Sequence, residues 1–408
     1  MADSRATPLE ITRRSLKVLH SMLNISKNIN REYEGDFGDA QAGFEGQKIG
    51  PTLNIRKPVD TTVRTGWSMS QQDVTEAYKT LTIDTVRGID MKFNDADMAL
   101  SIDDFAERYI NNSMKRLAAK IEQVVSTYMY QHIYNVDYVA STYIAPTTSG
   151  TYLDAAARLK ENLVPQGDSL YCVISPRATA AIVGGLAGQY NPQGNISTMY
   201  EKGQMSKALG LDWYESNVLP AHTTGSRTNT TPVVATFSTS APTSIGITGG
   251  TTSGTYLIGD TFTIAGVYSV NYETKATLST LQKFVVTANA TGSSGAVTLT
   301  VSPALIASGP TQNVSAVPTA TPAVVFDGGA STVYQNEFVF HQDSFAFATV
   351  PLYKPKGLDI AESVTVEGIS GRFLRGYDIA NARLLSRFDV FFGICELYPQ
   401  WAERIIHV

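Results

Sequence analysis

From residue 8 to residue 34 the apolar positions recur at helical spacing. Leu16, Leu19 and Leu23 share one stripe and Val18, Met22, Ile25 and Ile29 a neighbouring one, with Arg13, Arg14, Lys17 and Lys27 between them. The pattern predicts an amphipathic helix with two destinations for its apolar face: the chain's own domain, or a neighbouring molecule reached by an arm. The polar, Gly-containing "GDFGDAQAGFEGQKIG" that follows favours the arm slightly. Farther on the period becomes two: Leu81, Ile83, Ile89, Met91 and Phe93 share one parity, and Thr80, Thr82, Asp84, Asp90 and Lys92 take the other. That is a half-buried strand or strand pair. The polar excursion at about residues 60 to 78, containing Trp67, reads as a long two-stranded loop.

The strongest helical pattern starts at Ser101, an N-cap candidate followed by Asp103 and Asp104 at the positive end of the helix dipole. Phe105, Tyr109, Ile110, Met114, Leu117, Ile121, Val124 and Tyr128 continue it, and no Gly or Pro interrupts the chain up to Tyr134. A helix of more than about thirty residues, a structural spine ~45 Å long, is expected. After Gly150 the texture becomes α/β: a helix over Tyr152 to Leu163, a buried strand in "SLYCVIS", then Ser175 and Pro176 opening another helix, and a strand in "LDWYESNV".

Between about Gly225 and Ser331 the pattern turns to short strands and turns. In "GDTFTIAGVYSVN" Phe262 and Ile264 alternate with Thr261 and Thr263, and "KFVVT" and "AVTLTV" follow suit. Strands resume in "EFVFHQDSFAFATVPL" and "SVTVEGISGRFLRGYD", and the chain closes with "RLLSRFDVFFGICELYPQWAERIIHV". A Thr/Gly-rich module bracketed by α/β sequence on both sides reads as an insertion into a host domain.

Charge sharpens that reading. The chain of 408 residues is 17% charged, yet from Thr228 to Pro322 the only formal charges are Asp260, Glu273, Lys275 and Lys283. Four scattered charges do not readily supply an acid, a base and an orienting partner, so the module does not read as an active site. The net charge of -5 argues against a protein that coats nucleic acid. The two cysteines, Cys172 and Cys395, lie in apolar surroundings and read as buried free thiols of a reducing compartment. The first twenty residues lack the apolar core of an export signal, and no stretch reaches the ~18 apolar residues of a membrane span, so a soluble protein is expected.

The search for chemistry ends without a site. Phosphate-binding loops, the dinucleotide glycine turn and the nucleophile elbow are absent, and the five histidines show no metal-ligand spacing. Asp95, Asp97, Asp103 and Asp104 lack the glycine and terminal glutamate of a calcium loop, and helix capping explains them more simply. Arg56 and Lys57 in "NIRKP" point to opposite faces of a strand, which favours ion pairing over a phosphate contact. Phe388, Phe391, Phe392 and Trp401, without a basic patch, read as core. The expectation is a protein that is not an enzyme and needs no cofactor.

The stretches "GPTLNIRKPV", "ALSIDDFAERYI", "YCVISPRATAAIV", "GDTFTIAGVYSVN" with "LQKFVVTA", "VFHQDSFAFATVPL" and "RFDVFFGICELYPQWAERI" stand in an order that resembles the major capsid (coat) proteins of short-tailed bacteriophages. Those proteins have the Hong Kong 97-type fold, an α+β class, with an inserted β-barrel. The resemblance implies an N-terminal arm at 1–45, an extended loop region at 46–85, a peripheral domain with a spine helix at 86–140, an axial domain beginning at 141–225, the inserted barrel at 226–332 and return strands at 333–408. It implies self-assembly into hexamers and pentamers of an icosahedral shell around double-stranded DNA, contacted without sequence readout. It also implies a scaffolding protein and a portal protein as partners, no membrane, and a place in the virion capsid after assembly in the bacterial cytoplasm. Leu16, Leu19 and Leu23 of the arm, with Arg56, Lys57 and Trp67 around the extended loop, are then the candidate inter-subunit contacts. The alternatives are another phage structural protein, of tail or decoration type, and a hydrolase or binding protein with a carbohydrate-binding insertion.

Overall fold

The alternation through Leu81 and Ile83 produces a strand of 17 residues, Tyr78–Asn94, with both of these side chains buried. The computed structural model describes residues 8–21, 23–33, 50–59, 61, 63–64, 66–69, 71, 76–94, 111–139, 150–167, 169–186, 207–227, 229–250, 254–366 and 368–408. The N-cap expected at Ser101, the acids Asp95, Asp97, Asp103 and Asp104, and the helical positions Phe105, Tyr109 and Ile110 lie outside them. The chain divides into two compact units, one comprising Met1–Arg56, Tyr78–Val125 and Phe345–Leu397, the other Lys57–Ala77, Ser126–Ser344 and Tyr398–Val408.

In the first unit the strands run in the order Thr52–Arg56, Tyr78–Asn94, Arg383–Glu396, Ile369–Asp378, Ile360–Val366, each antiparallel to the next. Phe345–Thr349 continues the same edge of Arg383–Glu396 beyond the point where Ile369–Asp378 leaves it. Helix α1 (Pro8–Ser21) packs on the strands Ile360–Val366 and Ile369–Asp378. Helix α2 (Asn111–His132) buries Met114, Leu117, Ala118, Ile121 and Val125, the three- and four-residue spacing of one helical face. Phe388 and Phe392 are core residues of this sheet, as their setting in the sequence suggested.

The second unit holds a mixed sheet ordered Asn135–Val139, Ala402–His407, Val333–His341, Leu170–Ile174, Leu211–Glu215, Lys207–Ala208. Val333–His341 is antiparallel to Ala402–His407, Leu170–Ile174 and the short strand Ala221–Thr223, while Asn135–Val139 and Leu211–Glu215 add in parallel. Helices α3 (Gly150–Glu161) and α4 (Pro176–Leu186) bury Tyr152, Leu159, Ala178 and Ile182 against Cys172, Trp213 and Ile405. Ser175 caps α4 as its place before Pro176 predicts: its Oγ accepts the Ala178 amide at 3.2 Å and donates to Glu337 at 2.7 Å. Cys172 and Cys395 are both buried, and neither forms a disulfide.

The charge-poor stretch forms a separate antiparallel sheet in the order Val324–Phe326, Thr261–Val270, Thr277–Val286, Val297–Ser302, Ser244–Gly250, Asn229–Phe237. Its first and last strands are joined by a bridge between Val233 and Ala323, beside a bond from the Val234 amide to the Pro322 carbonyl at 3.0 Å. Phe262, Ile264, Phe284, Val286, Leu299 and Ile247 fill its core, with the Phe262 and Phe284 rings 5.7 Å apart. The chain enters this sheet and leaves it side by side: the Ser331 amide donates to the Gly225 carbonyl, and the Thr224 amide to that of Thr332, each at 3.0 Å.

Gly393 is among the glycines required by close backbone approach. A Cβ on Gly393 would lie 2.1 Å from the Thr82 carbonyl oxygen, where Tyr78–Asn94 shifts register between Ile83 and Thr85. Backbone cannot yield as a flexible side chain would. Gly393→Ala is expected to cost about 1–3 kcal/mol through overpacking, measured as a lower midpoint in urea unfolding.

Candidate functional site

Three places in the chain concentrate interactions that its local pattern does not require. The first is the segment after α1. Leu16, Leu19 and Leu23 are buried in the chain's own unit. Leu16 reaches Gly371 and Phe388: a Cβ on Gly371 would stand 2.8 Å from Leu16 Cδ2 and 2.6 Å from the Phe388 ring. Of the two destinations open to this helix, packing on its own domain is what these leucines adopt, and they offer no apolar face to a neighbour. The correction is physical: periodicity shows that a face is apolar, and only the docked sheet shows what it meets.

A buried carboxylate fixes the chain beyond α1. Glu122, on α2, accepts the Ile25 amide at 2.9 Å, the Ser26 amide at 3.0 Å and the Ser26 hydroxyl at 2.6 Å. Next to this staple Asn30 bonds in parallel fashion to Phe345–Thr349, its amide donating to the Phe345 carbonyl at 3.1 Å and its carbonyl accepting the Phe347 amide at 2.9 Å. Burial pushes the Glu122 carboxyl above its ordinary value, against the lowering effect of the Ser26 hydroxyl and the amides of Ile25, Ser26 and Asn24.

The second place is the connection between Arg56 and Tyr78. Arg56 ends its strand on the exposed side, paired in register with Tyr78. The Lys57 amide donates to the Ala77 carbonyl at 2.8 Å, and the Lys57 ammonium stands 5.4 Å from the centroid of the Tyr398 ring, a cation–π distance. Every described residue from 58 to 78 is exposed, and none between Arg56 and Tyr78 belongs to a strand. Trp67 is fully exposed, with Val63 and Met69 nearly so. The Arg64 guanidinium donates to the carbonyls of Gly66 and Ser68, the latter at 3.1 Å, and so curls the chain around Trp67.

The third place, missed in the sequence, is the root of the inserted sheet. Asp260 and Lys283, two of the four charges between Thr228 and Pro322, are buried there or nearly so. Asp260 is fully buried and accepts from His222 Nε2 at 3.0 Å, the Leu257 amide at 3.1 Å and the Gly225 amide at 3.2 Å, with Arg227 Nε 3.9 Å away. Gly259 beside it has φ +96°, and a Cβ there would meet the Tyr130 ring at 2.8 Å. Its carbonyl accepts from the buried Arg404, whose other nitrogen reaches Asn336 at 3.3 Å, and Asn336 in turn donates to Pro220 at 3.0 Å. The turn "IGD" is thus a plug in a socket made by His222, Arg404 and Tyr130 of the host. Lys283 adds a second tie, to the Val136 carbonyl and, at 3.1 Å, to Asp327.

Electrostatics keep Asp260 and Arg404 ionised near neutral pH. Burial alone would raise the Asp260 carboxyl, but the His222 bond, the Arg227 charge and the Leu257 amide hold it below its ordinary value. Burial lowers the Arg404 guanidinium to about 10, and the charges of Asp327 and Asp260 oppose that fall. The arrangement joins two parts of one chain. Most of its polar groups are spent on each other, while Arg227 Nε, Arg404 Nε and one Asp327 oxygen are buried without a hydrogen-bond partner.

Two expectations follow from opposite signs. Asp260, depressed when folded, stabilises above its unfolded value and loses that contribution as pH falls through its folded value. Asp260→Ala should cost about 3–5 kcal/mol near neutral pH and remove that part of the acid sensitivity, read by urea unfolding across a pH series. Glu122, raised when folded, contributes fully below its ordinary value and loses that contribution as pH rises through its folded value. Glu122→Gln should flatten that decline while costing about 1–3 kcal/mol, because an amide NH2 replaces the acceptor for Ile25.

Among known families, the model described as "P22 coat protein - gene protein 5" matches residues 19–403. No curated protein matches the sequence. A solved structure from Mycobacterium phage Che8 is 12% identical with a TM-score of 0.49, over 94% of this chain and 90% of its own. The capsid of cyanophage P-SCSP1u is 14% identical with a TM-score of 0.45, over 87% and 83%. The mature capsid of bacteriophage PhiM1 is 12% identical with a TM-score of 0.42, over 90% and 89%.

Proposed function

Because the chain belongs to the P22 coat protein family, we propose that it is the major capsid protein of a tailed bacteriophage, whose copies self-assemble into an icosahedral shell. The observation that carries this reading is one family match running from α1, through the inserted sheet, into the last strand. The coat role accounts for a chain whose buried charges serve to hold its own segments together. It also gives a use to the exposed loop around Trp67, which contributes nothing to the chain's own core.

In such a shell identical subunits meet through heterologous contacts, so each contact joins two different patches. Closure multiplies weak contacts. Apolar burial contributes about 25 cal/mol per Å² before ordering costs are subtracted, and modest patches therefore suffice while still letting misplaced subunits leave. Trp67, with Arg56 and Lys57 at the base of its loop, is the contact the geometry favours. Leu16, Leu19 and Leu23 hold the N-terminal segment on the subunit itself.

The finer assignments rest on the same family reading. Residues 1–45 serve as the N-terminal arm, 46–85 as the extended loop region, 86–140 as the peripheral domain, 141–225 and 333–408 as the axial domain and return strands, and 226–332 as an inserted β-barrel. The bridge between Val233 and Ala323 supports the barrel, since it joins the two outermost strands of that sheet. The shell encloses double-stranded DNA, and with a net charge of -5 the protein touches it through short-range or counterion-mediated contacts. A scaffolding protein and a portal are its assembly partners, in the cytoplasm of the host.

Electron microscopy of the chain, purified alone and after co-expression with a scaffolding protein, tests the reading. Closed shells of uniform size are expected. Monomers or tail-like tubes in both samples would overturn it.

A further inference from the structure

We propose that the exposed cations of α1, of the segment after it and of the first half of α2 form a surface that binds the phosphate backbone of double-stranded DNA. The choice of polyanion rests on the coat reading; the surface itself rests on charge and geometry. Between Glu10 and Glu32 the chain carries Arg13, Arg14, Lys17, Lys27 and Arg31 and no acid, although its net charge is -5. Helix α2 adds Lys115, Arg116 and Lys120, and its one acid, Glu122, is buried and bonded to the Ile25 and Ser26 amides.

That staple brings the two basic stretches together. It sets Lys27 one residue from the bonded Ser26, and Lys115 lies seven residues before Glu122, two turns along the same face of α2. On α1, Arg13 and Lys17 are four residues apart and so stand side by side, about 5–6 Å between their Cβ atoms. Like charges at this spacing disfavour a helix. Here the helix is held instead by the burial of Leu16 and Leu19 beneath it, so the cations stand on a backbone already fixed and little ordering is left to oppose binding.

These charges are not spent within the chain. Arg13, Lys17, Lys27, Lys115 and Arg116 are exposed, and among the described residues their side chains make no ion pair or hydrogen bond. Other exposed cations of the same chain find acids: Lys207 pairs with Asp212, Lys354 with Glu362 and Arg387 with Asp389. The kind of partner follows from what the surface lacks. Protein partners are gripped through desolvated aromatic and apolar anchors. None of the exposed large apolar side chains among the described residues lies in 8–33 or 111–132. A polyphosphate needs only the charge, released counterions supply the affinity, and no base sequence is read.

Fluorescence anisotropy of a labelled random-sequence DNA duplex, titrated with the full unassembled chain over a series of salt concentrations, tests this. Log affinity should fall against log salt with a slope of about 4.5, the value for five phosphate contacts. The combined variant Arg13→Gln, Lys17→Gln, Lys27→Gln should lower the slope by about 2.7 with an unchanged melting temperature, and Lys17→Arg with Lys27→Arg should keep it. A slope that the three glutamines leave unaltered, or no DNA binding by the unaltered chain at low salt, would overturn the proposal. So would tighter binding to polyglutamate of equal charge, the mark of an acidic protein partner. If the unaltered chain still forms shells, any of these results leaves the coat reading intact. DNA binding with the expected slopes but no shells, alone or with scaffolding protein, would remove the coat reading and leave the surface.

Discussion

The burial of Asp260 is the constraint on which the second unit depends. A carboxylate withdrawn from water is costly unless its oxygens are fully engaged, and here the partners come from two segments: the ring of His222 and the amide of Gly225 from one, the amide of Leu257 from the other. The inserted sheet can fill its own core with Phe262, Phe284 and Leu299, but that core does not fix where the sheet sits on the host. The charge does. A misplaced apolar surface finds other apolar surface, whereas a misplaced buried carboxylate finds nothing, so the few charges of a neutral module are the ones that carry positional information.

Glu122 does in the first unit what Asp260 does in the second. Both are acids that face backbone amides of a segment distant in sequence, and both sit where an irregular stretch must be pinned to a regular element. The difference lies in the balance of burial against compensation. Asp260 has the His222 ring bond and the Arg227 charge and falls below its ordinary value, whereas Glu122 has a hydroxyl and amides and rises above it. One staple therefore weakens as pH falls through the acid range, and the other weakens as pH rises.

Much of the local structure was legible in the sequence for reasons that are themselves local. Period two through Leu81 and Ile83 marks a strand, Ser175 before Pro176 marks a helix start, and the loss of charge near Gly225 and Ser331 falls at two residues that prove to be bonded to each other. The exposure of Trp67 accords with its polar setting. What could not be read is whatever depends on distant partners. Asp260 meets His222 38 residues away, Glu122 meets Ile25 at a separation of 97, and Arg404 meets Gly259 at 145. Leu16, Leu19 and Leu23 are the clearest case, since an amphipathic stripe is the same whether it faces its own sheet or another molecule.

The side-by-side crossing at Gly225 and Ser331 carries a consequence for how such a chain comes to exist. In the host sheet Ala221–Thr223 pairs with Val333–Gln335 as the two arms of a hairpin would. Seen from the host, the whole inserted sheet is a single turn. The entropy of closing a loop grows only with the logarithm of its length, about 0.6 kcal/mol for each doubling, so a turn of a few residues and one of about a hundred differ by only a few kcal/mol. A module of this kind can be acquired, enlarged or lost in evolution without disturbing the register of the strands that bear it, and the host need supply only an aspartate's worth of partners to keep it in place.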